Sequence, residues 1–241
     1  MVETVRILMQ GLIDYAGMFP PAALDLATAA RNYADYRAGG HAWMLGRFIV
    51  PAARLDEVDP TWPLSVLGPT PRHVEVCEIK VDHAALAASP DAALTYFEIP
   101  PGDDPAPLAA IGARAKIRMG GAASPSAAEV ATFLCACAAA RVPFKATAGL
   151  HRAIRKASAH GFVNLWLAAA LASRGAGLRP ALATLEEVSP AAFHFTDEAV
   201  SWHDHRLAAA ELRDVREHFA ISFGSCSFEE PIESLEEHRW L

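Results

Sequence analysis

The sequence predicts a (β/α)8 TIM-like barrel on three observations. Short β-rich runs alternate with alanine-rich helical ones, eight such runs fit within 241 residues, and charged side chains recur near the ends of several. An open α/β sheet assembled from the same units is the second reading.

In chain order, the expected strands begin with "GLIDYAG" (11–17), "GRFIVP" (46–51), "LSVLG" (64–68) and "VEVCEIKV" (74–81). They continue with "LTYFEIP" (94–100), "ARAKIRMGG" (113–121), "VPFKATAG" (142–149) and "FAISFGSCSF" (219–228). Helices are expected over 22–38, 126–140, 164–174 and 208–219, each opening near Pro, Ser, Asp or Asn, residues that start helices. The gaps flanking the third strand leave no room for full helices, so the early part of the barrel should have shortened connections. The long stretch after Gly149 has room for extra structure, such as a hairpin over 192–204. The acidic tail 228–241 reads as a closing helix, with Trp240 over the barrel's base or at a subunit contact. Without a repeat or low-complexity linker, residues 1–241 read as a single (β/α)8-type domain.

Composition narrows the partners. The chain is 52% hydrophobic and carries a formal net charge of -7, which disfavours nucleic acid and anionic membranes. The longest apolar stretch singled out, 162–172, has 11 residues, against roughly 18 for a membrane helix. The N-terminal run lacks a secretion-signal design, and four cysteines without C-x-x-C spacing read as reduced thiols. A cytoplasmic location and a small-molecule substrate are therefore expected, with no cofactor, no metal, and a homo-oligomer left open.

The chemistry lies in charges that interrupt apolar strands. Side chains alternate along a strand, so same-parity residues share a face. Val74, Val76, Glu78 and Lys80 share one; so do Arg114, Lys116 and Arg118, and so do Lys145 and Thr147. Glu98 and Asp14 stand near the ends of their own runs. Buried charges need partners, so Glu78 and Glu98 against Lys116, Arg118 and Lys145 should form one polar cluster at a barrel mouth. The alternative is that these side chains point outward. Gly120, Gly121 and Gly149 end two of the runs and Ser225 and Ser227 a third; such small-residue ends can cradle an anion or can simply turn. His151 follows close behind Gly149. His151 and His160, with Cys226, Glu229 and Glu230, show no metal-ligand spacing, and the two serines show no base.

The run from Lys116 to His151 and the closing "FGSCSF" resemble deoxyribose-phosphate aldolase-type class I aldolases. The resemblance implies a barrel in which Lys116 forms a Schiff base with a carbonyl substrate. Lys145 would be its cationic neighbour, and Glu78 would relay protons. Arg118 and the single glycine of "KATAGL" depart from that pattern. "LIDYAGMFPPAALDL", "PFKATAGLH", "HGFVNLWLAAAL" and "FGSCSFEEP" also resemble a family of uncharacterised bacterial proteins, a likeness that implies no activity.

The leading expectation is a lyase or aldolase-like enzyme acting on an anionic carbonyl compound, with Lys116, Lys145 and Glu78 catalytic. Arg118, Glu98, Asp14, Thr147 and His151 would bind substrate, with Gly120, Gly121, Gly149, Ser225 and Ser227 beside them. Two alternatives remain: a phosphate- or carboxylate-binding barrel using acid–base or transferase chemistry without a Schiff base, and a non-catalytic binding protein.

Overall fold

The computed structural model describes residues 1–70, 72–80, 92–121 and 124–241. Eight parallel strands close into a barrel: β1 (Ile13–Tyr15), β2 (Leu45–Pro51), β3 (Leu64–Leu67), β4 (Val74–Lys80), β5 (Ala92–Glu98), β6 (Arg114–Arg118), β7 (Phe144–Thr147) and, last in the chain, β11 (Ala220–Ser225). Around the barrel the order is β1-β11-β7-β6-β5-β4-β3-β2, so β11 closes it between β7 and β1. Each expected strand has its counterpart here; Val81, the last residue of the run 74–81, lies outside the described residues.

Strand alternation sorts the side chains into two layers. Phe144 turns outward onto Phe133 of α4 (Ala127–Ala140), and Phe223 onto Trp166 of α5 (Phe162–Ser173). Their neighbours Lys145 and Ser222 turn inward. Helix α4 starts on a capping box, Ser126 accepting from the Glu129 N–H while the Glu129 carboxylate accepts from Ser126. Apart from Asn164, which hydrogen-bonds the Thr184 and Glu187 carbonyls, helix α5 is apolar on every side over residues 162–172, all of them buried. It can be so because the barrel backs one side while α4, α6 (Leu178–Glu186) and α7 (Ala209–His218) cover the rest.

The early barrel has shortened connections, as the spacing predicts. Between β2 and β3 runs only a 3₁₀ turn, Ala52–Glu57. An aromatic cluster covers that sector instead: Tyr33 of α2 (Leu26–Ala38) packs 5.1 Å from Phe48 and 5.0 Å from Trp62, ring centroid to centroid. Large rings from one helix and one loop supply the apolar cover that a second helix would give.

The extra structure after β7 is larger than a hairpin. Strands β8 (Phe193–Phe195), β9 (Ala199–Trp202) and β10 (His205–Ala208) form an antiparallel three-stranded sheet between α6 and α7. The chain ends on helix α8 (Glu229–Glu237). Trp240 packs 4.9 Å from the Phe195 ring, so it covers this small sheet rather than the barrel's base.

At the N-terminal end of the barrel Arg216 acts as a clasp. Its guanidinium donates to the carbonyls of Leu8 at 2.8 Å, Gln10 at 3.0 Å and Ala220 at 2.6 Å, and also to that of Ile221. It thereby ties α7 to the turn after α1 (Glu3–Met9) and to the start of β11. Burial lowers its pKa to about 10. An Arg216→Met variant keeps the apolar stem but leaves these carbonyls unpaired. It should lose about 3 kcal/mol or more of stability, read as a lower denaturant midpoint.

Candidate active site

The inward faces of β1, β4, β5, β6 and β7 meet in one chain of alternating charges. Register starts it: in the parallel ladders Glu98 lies beside Lys116, and Lys116 beside Lys145. Lys145 Nζ lies 2.6 Å from Asp14 Oδ2 and 2.6 Å from Glu78 Oε1. Lys116 Nζ donates to the other Glu78 oxygen at 3.1 Å. It also stands 3.0 Å from Glu98 Oε2, an ion contact off the line of a hydrogen bond. Arg118 Nε closes the chain on Glu98 Oε1 at 3.0 Å.

The order is therefore Asp14, Lys145, Glu78, Lys116, Glu98, Arg118: three carboxylates and three cations, with the net charge cancelled. Cancellation is necessary because Asp14, Glu78, Lys116 and Lys145 are all buried, and uncompensated charges there would cost several kcal/mol each. Two serines complete the shell. Ser65 Oγ donates to Glu78 at 2.6 Å and Ser222 Oγ to Asp14 at 2.7 Å, while the Arg47 N–H donates to the second Asp14 oxygen at 2.7 Å. The Tyr96 ring faces Lys145 from 5.6 Å.

The two lysines are held differently. Lys145 makes two short hydrogen bonds; burial alone would discharge it, but Asp14 and Glu78 outweigh burial and raise its pKa. Lys116 makes one longer bond, to the carboxylate it shares with Lys145. Burial also works against the Glu78 anion, yet Lys145, Lys116 and Ser65 hold its pKa down to about 2. Burial opposes the Glu98 anion likewise, and Lys116 with Arg118 lowers its pKa.

The cluster runs from a buried core to one open end. Arg118, 44% exposed at the last position of β6, marks the C-terminal mouth. On the other side of the layer a cavity of about 210 Å³, lined by Asp14, Lys145, Tyr96, Arg114, Arg47 and Ser222 among others, opens between the earlier residues of the strands. Lys145 and Asp14 thus border space on the N-terminal side, whereas Lys116 lies toward the Arg118 end.

The remaining expected site residues line the same C-terminal face without joining the charge chain. Thr147 of β7 is half-buried and faces Gly224 of β11. Gly120 and Gly149 touch backbone to backbone: a Cβ on Gly120 would come within 2.8 Å of the Gly149 Cα. Gly149 also has φ +72°, so this contact accounts for both glycines without a ligand. Gly121 has φ +93°, and a Cβ added there would meet nothing within 4 Å. Ser225 Oγ accepts from the Ser227 N–H, and Ser227 Oγ accepts from the Glu230 N–H at the start of α8. His151 lies beside Cys226 and Glu230, away from the lysines.

Sequence reasoning missed Ser65, Ser222 and Tyr96. Each shares the inward parity of its strand, which is the signal that could have found them. Comparison with family models, curated proteins and solved structures finds no match to this chain. The fold and the site therefore define the class by themselves: a TIM-like barrel carrying a buried, charge-balanced cluster with paired lysines.

The pKa shifts set a pH dependence. The folded pKa of Glu78 is depressed below its ordinary 4.5, so its stabilisation is complete above that value and is lost as the pH falls toward about 2. That of Lys145 is raised above 10.5, so its contribution is complete below 10.5 and is lost only at higher pH. Glu78→Gln should cost about 3–5 kcal/mol at neutral pH by leaving both lysines under-compensated. Denaturation of both proteins from pH 7 to pH 2 should show a shallower loss of stability in the variant than in the parent.

Proposed function

We propose that this protein is a Schiff-base lyase of the aldolase kind, acting on a small carbonyl compound that carries a carboxylate or phosphate. One observation carries the reading: two lysines on adjacent barrel strands share the Glu78 carboxylate, and only Lys145 is locked by two short bonds. That arrangement suits a permanent cation, Lys145, beside a nucleophile, Lys116, as the likeness to class I aldolases implies.

The chemistry follows from charge. The Lys116 ammonium passes one proton to Glu98, the partner nearer the mouth, and the free amine attacks the substrate carbonyl carbon. The carbinolamine oxygen takes that proton back from Glu98 and leaves as water, giving a protonated imine. Ammonium and protonated imine both carry one positive charge, so Glu78 and Glu98 balance product and starting group alike, without reorganisation. The imine draws electrons from the bond between its α and β carbons while Glu98 takes the β-hydroxyl proton, so that bond breaks to give an aldehyde and an enamine. Glu98 returns the proton to the enamine carbon, and water hydrolyses the resulting imine to free Lys116. Arg118, freed from Glu98, binds the substrate's anionic group at the mouth.

Borohydride reduction in the presence of pyruvate or a phosphorylated aldose, read by intact mass and peptide mapping, tests this. The expected adduct maps to Lys116, vanishes in Lys116→Met and persists, formed at least tenfold more slowly, in Arg118→Met. Absence of any lysine adduct across such carbonyl compounds overturns the proposal and leaves the charge cluster as a structural core.

A further inference from the structure

A cleft of about 570 Å³ lies at the C-terminal rim beside β1, β7 and β11, apart from the lysine cluster. Cys226, immediately after β11, and His151, four residues after β7, face one another across it. Cys226 Sγ and His151 Nε2 are 4.0 Å apart, the outer limit for a thiol–imidazole hydrogen bond. On the other side of the ring, His151 Nδ1 lies 2.5 Å from Glu230 Oε2 of α8, an ion contact off the line of a hydrogen bond. Ala22, in the loop after β1, lines the cleft beside them.

Thiol, imidazole and carboxylate thus stand in the order that activates a nucleophile: the base beside the thiol, and an acid beside the far nitrogen of the base. We infer that Cys226 is a nucleophilic thiol, with His151 as its base and Glu230 as the positioning residue, that accepts an acyl group from an uncharged or cationic ester or thioester. The inference does not rest on the Schiff-base reading. In the step, the thiol proton passes to His151 Nε2 and the sulfur bonds to the acyl carbon. The leaving alcohol or thiol takes the proton from His151, and water then hydrolyses the S-acyl group.

Electrostatics agree with that geometry. Burial disfavours the Cys226 thiolate, but the His151 hydrogen bond and charge and the Ala22 N–H outweigh it and lower the pKa. The Cys226 contact, and after it Glu230, raises that of His151 against burial, which lowers it. The charged groups around the pair are Arg152 on the His151 loop and Glu230, Glu233 and Glu237 on α8, with Glu229 and the Tyr15 hydroxyl nearby. Three carboxylates against one arginine disfavour anionic substrates, which fixes the expected charge of the acyl donor.

The built-in control is Cys135, also partly exposed, whose pKa burial raises. Iodoacetamide labelling from pH 5 to 10, followed by peptide mass spectrometry, should half-label Cys226 at a pH below the ordinary thiol value of about 8.5, and Cys135 above it. His151→Asn should slow Cys226 labelling at pH 7 by about tenfold or more and move its midpoint upward, and Glu230→Gln should do so less. Iodoacetate should label Cys226 more slowly than iodoacetamide, relative to the same pair on glutathione. p-Nitrophenyl acetate should leave a transient acetyl group on Cys226, absent in Cys226→Ser, with thermal melts confirming that each variant is folded. A Cys226 profile matching an ordinary thiol and unchanged by His151→Asn, or no acetyl group on Cys226, overturns the inference.

Discussion

Everything inside this barrel is organised around the burial of one carboxylate. Glu78 sends one oxygen to Lys145 and the other to Lys116, and each lysine then reaches a further carboxylate, Asp14 or Glu98. Taking any one of these charges out of water alone would cost more than a single mutation's usual effect. The chain is tolerable only because it is complete and because Ser65, Ser222 and the Arg47 N–H occupy the leftover oxygen lone pairs. The interior of the barrel is therefore neither a greasy plug nor an open anion clamp. It is a neutral pair-by-pair lattice, and no lysine in it is free to hold a phosphate without releasing a carboxylate.

That constraint shapes what the site can do. A reaction that removed a cation from the lattice would strand two carboxylates, whereas one that exchanges an ammonium for a protonated imine leaves the balance intact. Asymmetry within the pair supplies the division of labour, since Lys145 is pinned at the centre and Lys116 faces the end that Arg118 opens to solvent. The cleft holding Cys226 and His151 lies on the same C-terminal face but draws on different loops, those after β1, β7 and β11. Loops at this end of a barrel can diversify without disturbing the strands beneath them.

Much of the fold was legible in the sequence. Each expected strand run contains a barrel strand, because parallel strands are short, β-rich and separated by recognisable helix starts. Parity correctly grouped Glu78, Lys116, Arg118 and Lys145 on the inward side, since alternation is a local property of any strand. The antiparallel sheet of β8, β9 and β10 was half-seen: its first two strands resemble a hairpin, and the third, "HRLA", is too short and polar to announce itself. Trp240 over the barrel's base was a misplacement, because its partners, Phe193 and Phe195, are some 45 residues away in sequence.

The sequence by itself determined the eight barrel strands, the inward parity and the need for buried charges to find partners, because each depends on local alternation and on the cost of desolvation. Only the tertiary structure decided who pairs with whom. Strand order and register set Glu78 between the two lysines, joined Asp14 to a lysine 131 residues away, and brought Cys226 to His151 across two loop ends. Such pairings depend on the closure of the barrel, which no local stretch of chain encodes.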